Sequence, residues 1–499
     1  MPNILLITSD QQHFSTLGFL NPKIQTPNLD RLARQGTHFN RAYCPNPTCT
    51  PTRASIITGQ YPSWHGAWTL GTHLREDAPT VGAEFGKAGF YTALVGKAHF
   101  QGLGSTPEYP SHESQPRLRD LDFWRHWNGP WYGFEHIETA RMHADEYHVG
   151  GHYGVWMEER GLSNWRDFFQ NYPPDAQHPP RHGSWDLPEQ FHYSTWTAER
   201  TIAQFDRAGE RPFFVWSSFH DPHPPYLVPE PWASMYDPAD MEIGSLTVGE
   251  LELLPPHFAL TQSEKPDFSA YLESGFGIHG MHSHLADEQQ ARQDMATYYG
   301  MTSFMDAQIG RILDALEERG QSEDTLIVFS TDHGHFLGQH GLWAKGPFHF
   351  EDEIRVPFLV SWPDKVPANQ QSSALQSLVD LAPTFLAAAN LEIPGRMQGC
   401  NQLDVWRGEA DSVRDEVLVE FHHEPTTIHL RTLVTKRWKM TVYRGQSYGE
   451  LFDLETDPAE TRNLWSNPEF ALIKADLFQQ WVNAELKREP MEMPRIAHA

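Results

Sequence analysis

Short apolar runs alternate with amphipathic stretches over the first hundred residues. Residues 3–8 are an apolar run closed by threonine, the pattern of a strand covered on both faces. Thr26-Pro27 predicts a helix start, with threonine as N-cap and proline in the first turn, and Gly36 predicts its end. A second helix is expected over 79–88, stopped by Gly89, and a strand over 90–95. This alternation predicts an α/β layer built on a large, mostly parallel sheet sandwiched by helices. The rhythm breaks from about 101 to 194, a segment rich in Trp, His, Pro and Gly that contains Trp124, Trp127, Trp131, Trp156, Trp165 and Trp185. Two readings fit it: loops that shape a pocket at one sheet end, or a satellite core packed by the tryptophans. The pattern resumes with a helix over 196–208 and a strand over 212–217. Residues 230–285 are irregular. A long amphipathic helix over about 287–319 follows, then strands over 325–330 and 357–362, and a helix over 378–389 kinked or divided at Pro383. Beyond about residue 411, short runs at 417–421, 430–435, 439–443 and 450–454 predict a small antiparallel sheet, with a last helix over 468–486. The expected organisation is a catalytic α/β domain over 1–405, with 101–194 as an insertion, and a C-terminal subdomain over 406–499.

Length and charge narrow the picture. A chain of 499 residues suits one large domain plus a smaller one. Acidic residues number 65 against 38 basic ones, a formal net charge of −27. Such a surface repels nucleic acid and anionic membranes, so neither is expected as a partner. If the substrate is an anion, its site must be a local cationic pocket. No apolar stretch is long enough to span a bilayer, and no leader pattern precedes the first strand, so a cytoplasmic location is expected. Three cysteines, Cys44, Cys49 and Cys400, make no disulfide framework. The tail after Glu485, with Pro490, Met491, Met493 and Pro494, is apolar for a free end; it either clasps a neighbouring subunit in a homo-oligomer or packs on its own domain.

Ligands of open parallel sheets bind beyond the carboxyl ends of the strands. The predicted strands end in Ser9-Asp10-Gln11, Gly96-Lys97-Ala98-His99, His220-Asp221-Pro222-His223 and Thr331-Asp332-His333-Gly334. Any one of these is weak, since an Asp after a strand is more often a helix cap; their coincidence is the signal. Asp10, Gln11, Asp332 and His333 form a divalent-metal set, oxygen-rich as Ca²⁺ prefers, with an imidazole that tilts toward Mn²⁺. In Cys49-Thr50-Pro51-Thr52-Arg53, Pro51 suits a first helical turn, which places Cys49 at a helix N-terminus with Arg53 one turn in. On residue types alone this is either an activated thiolate or an anion cradle.

Cys-x-Pro-x-Arg followed by Ala54-Ser55-Ile56-Ile57-Thr58-Gly59 resembles the signature of the sulfatases, in the alkaline phosphatase superfamily. Further likenesses follow in order: Gly96-Lys97-Ala98-His99, Pro222-His223-Pro224-Pro225, Asp332-His333-Gly334 with Gly341 to Gly346, and Leu451-Phe452-Asp453-Leu454 with Asp457-Pro458. The resemblance implies an alkaline-phosphatase-like fold and hydrolysis of a small-molecule sulfate ester (aryl, choline or sugar). It implies that a formylglycine-generating enzyme oxidises Cys49 to formylglycine, used as its hydrate, beside one divalent metal held by Asp10, Gln11, Asp332 and His333 and touched by residue 49. Lys97, Lys345 and Arg53 are then expected to compensate the sulfate charge, and His223, shared with Lys345, to protonate the leaving alcohol. His99 is expected to accept the proton of the second hydroxyl, with His220 as support.

The chain departs from the common pattern in two places. Gln11 and His333 stand where many members carry Asp and Asn, a variant that resembles choline sulfatases and phosphonate monoester hydrolases. Phosphonate monoester or phosphodiester hydrolysis is therefore the leading alternative, and an unmodified, inactive binding protein is the alternative of another class. The Trp-rich insertion is expected to stack an aryl ring or sugar, or to enclose a quaternary ammonium. His422, His423, Arg431 and Trp343 are further candidates for the mouth of the site.

Overall fold

The alternating strand residues face two different cores. In the first strand, Leu5 and Ile7 join one buried cluster while Ile4 and Leu6 join another, because successive side chains point to opposite faces of a sheet. The structure, a computed structural model, describes residues 1–489 and 495–496 apart from 142–143, 170–181, 264–266, 273–287 and 424–425. Its large sheet has strands β1 (Asn3–Ser9), β2 (Thr37–Phe39), β3 (Tyr91–Gly96), β4 (His136–Thr139), β5 (Phe213–Ser218), β6 (Thr325–Thr331), β7 (Phe358–Ser361) and β8 (Gln370–Ser372). Their order is β8-β2-β7-β6-β1-β5-β3-β4. The central run β6-β1-β5-β3-β4 is parallel, so its carboxyl ends share one rim.

Helices α1 (Pro27–Gln35), α2 (Cys49–Thr58), α3 (Val81–Lys87), α4 (Tyr193–Ala208), α5 (Glu288–Glu318) and α6 (Leu381–Ala388) cover both faces. Leu29 and Leu32 of α1, Phe205 of α4 and Ile309, Ile312 and Leu316 of α5 pack with Leu5, Ile7 and Val215. Ile56 and Ile57 of α2, Phe85 of α3 and Phe385 and Leu386 of α6 pack with Ile4, Leu6, Phe214 and Val328. Each such fully buried aliphatic or aromatic side chain contributes roughly 1.5–3 kcal/mol of transfer free energy.

The sheet is mixed at one side. β7 runs antiparallel to β6 and β2. A parallel pair needs a crossover connection, whereas the chain between β6 and β7 stays at the rim in short elements and re-enters from the edge it left. Pro383 does not divide its helix. A 3₁₀ turn, Leu378–Asp380, passes into α6 at Leu381, and Pro383 occupies the first turn of α6, where a missing N–H costs no helical bond.

The C-terminal sheet is antiparallel in chain order: β9 (Glu416–His422), β10 (His429–Thr435), β11 (Trp438–Tyr443) and β12 (Gly449–Asp453). The final helix α7 (Ala471–Lys487) lays Leu477 and Trp481 on its Leu418, Leu433, Met440 and Leu451. The apolar tail segment 490–494 lies outside the described residues. Between 101 and 194, Trp156, Trp165 and Trp185 build a satellite core with Tyr153, Phe169 and Trp196. Trp124, Trp127 and Trp131 stack around His112. Trp156, Trp165 and Trp185 are thus packing residues of that core. No helix among the described residues is long and apolar enough to cross a membrane.

Candidate active site

Helix α2 starts at Cys49, with Thr48 as an extended N-cap residue and the Asn46 side chain accepting from the Thr48 amide at 2.9 Å. Cys49 is 1% exposed and occupies the first helical position, where backbone N–H groups lack intrahelical partners. Around its Sγ stand His333 Nε2 at 3.3 Å, Lys345 Nζ at 3.4 Å, Lys97 Nζ at 3.7 Å and Asp10 Oδ1 at 3.7 Å. Burial and Asp10 push the thiol pKa up, but Lys345 and Lys97 outweigh them and bring it below its ordinary value.

Two glycines make the approach possible. A Cβ on Gly96 (φ +105°) would lie 1.8 Å from the Ser218 carbonyl, and one on Gly334 2.3 Å from that of Asp352. Without side chains, the turns after β3 and β6 close on their neighbours and aim Lys97 and His333 inward. Gln11 (φ 58°) and His99 (φ 54°) hold left-handed backbones on the same rim, a conformation that survives only where surrounding contacts impose it.

Arg53 is fully buried and ties three strand ends together. Its Nε donates to Asp332 Oδ2 at 2.8 Å, and its Nη1 to the Lys97 carbonyl at 2.8 Å and Ser218 Oγ at 2.7 Å. Its Nη2 has no hydrogen-bond acceptor among the described residues and lies 3.8 Å from Asp10 Oδ2. That Asp10 oxygen is ion-paired with Lys97. Burial pushes the Asp10 carboxyl up, but Lys97, Arg53 and Lys345 hold it well below the usual carboxylate range.

Ligand-type atoms of Asp10, Cys49, Asp332 and His333 all lie within 4.8 Å of one another. His333 Nδ1 lies 3.0 Å from the Gly334 carbonyl, so its proton sits there and Nε2 presents a lone pair. Gln11 completes the set in an informative way. Its amide Nε2 donates to His335 Nδ1 at 2.8 Å, while Oε1 is buried with no partner among the described residues. Three oxygen donors and one imidazole suit a divalent ion such as Ca²⁺ or Mn²⁺; the Gln11 main-chain N–H donates to Asp332 Oδ1 at 3.0 Å, and an orphaned carbonyl oxygen on the same residue is what such an ion would satisfy.

His223 Nδ1 faces the Pro224 carbonyl at 2.6 Å, and Nε2 lies 3.5 Å from Lys345 Nζ. Burial, Lys345 and Lys97 push its pKa well below the ordinary histidine value, so the ring is neutral and accepts from the lysine. His220 Nε2 lies 3.0 Å from the Ala140 carbonyl, a supporting place rather than a reacting one. His99 fits its expected role as proton acceptor poorly. Its Nε2 is held by Arg141 Nη2 at 2.9 Å, and burial together with the Arg141 charge drives its pKa well below the ordinary value.

Of the mouth candidates, His422 and Arg431 line a groove of about 640 Å³ that also includes Asn46 and Trp68, where Trp68 stacks on His422 at 4.1 Å. His423 is buried. Trp343 serves elsewhere: its Nε1 donates to Tyr226 Oη at 2.8 Å, behind His335. Sequence reasoning missed His335, Tyr226, Ser218 and Arg141. His335 follows the Asp332-His333-Gly334 run and was within reach; Arg141, isolated in an irregular segment, carried no signal.

Residues 2–391 match the family model described as Sulfatase, and residues 338–487 match the model described as N-sulphoglucosamine sulphohydrolase, C-terminal. An uncharacterized sulfatase of Escherichia coli (strain K12) is 28% identical over 95% of this chain and 85% of its own. An arylsulfatase of Clostridium perfringens (strain 13 / Type A) is 28% identical over 94% and 91%. In fold, the chain is similar to a phosphonate monoester hydrolase from Silicibacter pomeroyi, with a TM-score of 0.80, 23% identity and coverage of 100% of this chain and 98% of that one.

Proposed function

Because the chain belongs to the sulfatase family, we propose that it hydrolyses a sulfate monoester to an alcohol and sulfate, with a nucleophile made from Cys49 by oxidation to formylglycine. The observation that carries this reading is the set of cations, Lys97 and Lys345 on a helix-N-terminal cysteine with Arg53 beside Asp10, inside a protein of net charge −27. A general surface charge of that sign would turn an anionic ester away; a buried cationic pocket accepts it.

Formylglycine at position 49 would supply an oxygen nucleophile and, after transfer, a hydroxyl whose loss of a proton frees the sulfate. A divalent ion held by Asp10, Gln11, Asp332 and His333 would supply Lewis acidity at the sulfate oxygens. The remaining work falls to the chain's own side chains. Lys97 and Lys345 present ammonium donors to the anionic group, and Arg53 fixes the Lys97 main chain and Asp332 in register. A fixed donor of this kind is worth roughly 3 kcal/mol when it meets charge that develops in the transition state. Lys345 holds the proton that the neutral His223 shares; the pair passes it to the leaving alcohol and, one proton short, then takes up the proton whose loss from the residue-49 hydroxyl frees the sulfate. His99 meets the site as an N–H donor. The tight burial of Cys49 and the two lysines keeps water from competing for these donors.

Phosphonate monoester hydrolysis is the second reading, and the Gln11 and His333 variant of the metal set favours it; the buried Lys97 after Gly96 favours the sulfate. Protein made together with a formylglycine-generating enzyme decides the nucleophile. Mass spectrometry of the peptide containing residue 49 should show an aldehyde in place of the thiol, and p-nitrophenyl sulfate should turn over only in protein carrying it. A thiol retained at position 49 in active protein would overturn the proposal.

A further inference from the structure

We infer that Arg141 is a positioning residue for this reaction: it holds His99 in a single tautomer, with Nε2 as acceptor and Nδ1–H as the donor presented to the site. The catalytic part of the inference rests on the function proposed above; the tautomer does not.

Arg141 is 4% exposed and is the second residue after β4. The residue before it is pinned from two sides: the Ala140 amide donates to the Gly96 carbonyl at 3.1 Å, and His220 Nε2 donates to the Ala140 carbonyl at 3.0 Å. The rim strands that carry Lys97 and His220 therefore also fix Arg141. Its Nη2 lies 2.9 Å from His99 Nε2. A guanidinium only donates, so that imidazole nitrogen must be the unprotonated one, and a neutral ring then carries its proton on Nδ1. Burial and the neighbouring charges of Arg141, Lys97 and Arg53 keep the ring neutral.

Nothing among the described residues takes up what this arrangement leaves over. His99 Nδ1 and Arg141 Nε are both buried without a hydrogen-bond partner. Glu113 is close enough to influence Arg141, but its oxygens accept the amides of His99 at 2.6 Å and Gln101 at 2.8 Å. No carboxylate of the described residues forms an ion pair with Arg141. A buried cation whose hydrogen bond goes to a neutral imidazole contributes little to stability. Its effect is on which nitrogen of His99 bears the proton. Histidines that support active sites are commonly fixed in this way by the group on their far nitrogen.

The test uses formylglycine-bearing protein with Arg141→Met and Arg141→Lys, each alone and combined with His99→Asn. An asparagine amide can replace an Nδ1–H donor, so the His99→Asn background should keep measurable turnover. Arg141→Met should lower kcat on p-nitrophenyl sulfate about 10- to 100-fold, the loss of one charged hydrogen bond, with KM moving less than about threefold. Arg141→Lys should restore most of kcat, because an ammonium still donates to Nε2. In the His99→Asn background, Arg141→Met should cost less than about threefold, since the residue it positions is gone. Nitrogen-15 NMR of the imidazole, assigned by its loss in His99→Asn, should report Nδ1–H in the parent and a changed tautomer in Arg141→Met. Equal losses in both backgrounds, or an effect mainly on KM, would show Arg141 contacting the substrate itself and overturn the inference. So would an Nε2–H signal for His99 in the parent. If formylglycine-bearing parent protein turns over no sulfate ester, the proposed reaction fails and Arg141's catalytic part with it, while the NMR result still decides the tautomer.

Discussion

Replacing His335 with phenylalanine should weaken divalent-metal binding although His335 is not itself one of the proposed ligands. Gln11 Nε2 donates to His335 Nδ1 at 2.8 Å, His335 Nε2 and Trp343 Nε1 each lie 2.8 Å from Tyr226 Oη, and the His335 ring stacks on Tyr298 at 4.8 Å and 10°. An amide nitrogen only donates, so this chain fixes the Gln11 amide with its nitrogen toward His335 and leaves Oε1, buried and without a partner among the described residues, as the oxygen proposed to face the ion. Phenylalanine keeps the stack on Tyr298 and removes the acceptor. The Gln11 N–H then loses its partner, at about 1–3 kcal/mol for a buried donor, and the amide is free to rotate and offer nitrogen where oxygen is needed. Loss of an outer partner of this type lowers metal affinity about 10- to 100-fold, or ~1.4–2.7 kcal/mol. Competition with a chromogenic chelator gives the Mn²⁺ affinity without reference to turnover. The stabilisation by saturating metal in thermal unfolding should shrink by a comparable amount. A folded His335→Phe protein that binds Mn²⁺ within about twofold of the parent would refute the reasoning, because the Gln11 orientation would then not depend on His335.

Other consequences are as direct. Cys49→Ala should abolish turnover and leave the unfolding midpoint near that of the parent, since it removes the nucleophile and one sulfur from a pre-formed pocket; residual activity above background would contradict the covalent route. Arg53→Met, measured in chelator-treated protein, should destabilise by about 3–5 kcal/mol in denaturant unfolding, because Asp332 and Asp10 lose a buried counter-charge; a loss under about 1 kcal/mol would show that Lys97 alone suffices. In the C-terminal sheet, burial lifts Glu450 from 4.5 to about 7. A raised folded-state pKa means the folded state holds the proton more tightly, so this contribution is present below the unfolded value and is lost as pH rises through about 7. Glu450→Gln should therefore flatten the fall in Tm between about pH 5 and about pH 8, and an unchanged slope would remove Glu450 as its source.

The strand ends were legible because three physical patterns agree there. Apolar runs in β1, β3, β5 and β6 mark strands buried on both faces, and parallel neighbours put their carboxyl ends on one rim, so Asp10, Lys97, His223 and Asp332 follow from sequence alone. Cys49 at a helix start was legible from Pro51 for the same kind of local reason. The antiparallel turn of β7 was not, because strand direction depends on the path of the intervening chain, which no local period records. The tryptophans of the insertion were ambiguous in type, and Trp156, Trp165 and Trp185 lie in a satellite core. Arg141 was invisible because its meaning comes from a single contact, 42 residues distant in sequence. His335 sits two residues from the candidate ligand His333, but it meets the site through the nitrogen it turns toward Gln11, a contact no sequence pattern records.

The most direct test of the central reading is the ratio of kcat/KM on p-nitrophenyl sulfate to kcat/KM on p-nitrophenyl phenylphosphonate, measured on metal-loaded protein shown to carry formylglycine at position 49. Two substrates with the same leaving group isolate the identity of the transferred group. A ratio well above one is expected if Lys97 and Lys345, within 3.7 Å of Cys49 Sγ, hold a sulfuryl group as proposed. A ratio well below one would contradict it, leaving the fold and the donor set in place but assigning them to phosphonate ester hydrolysis.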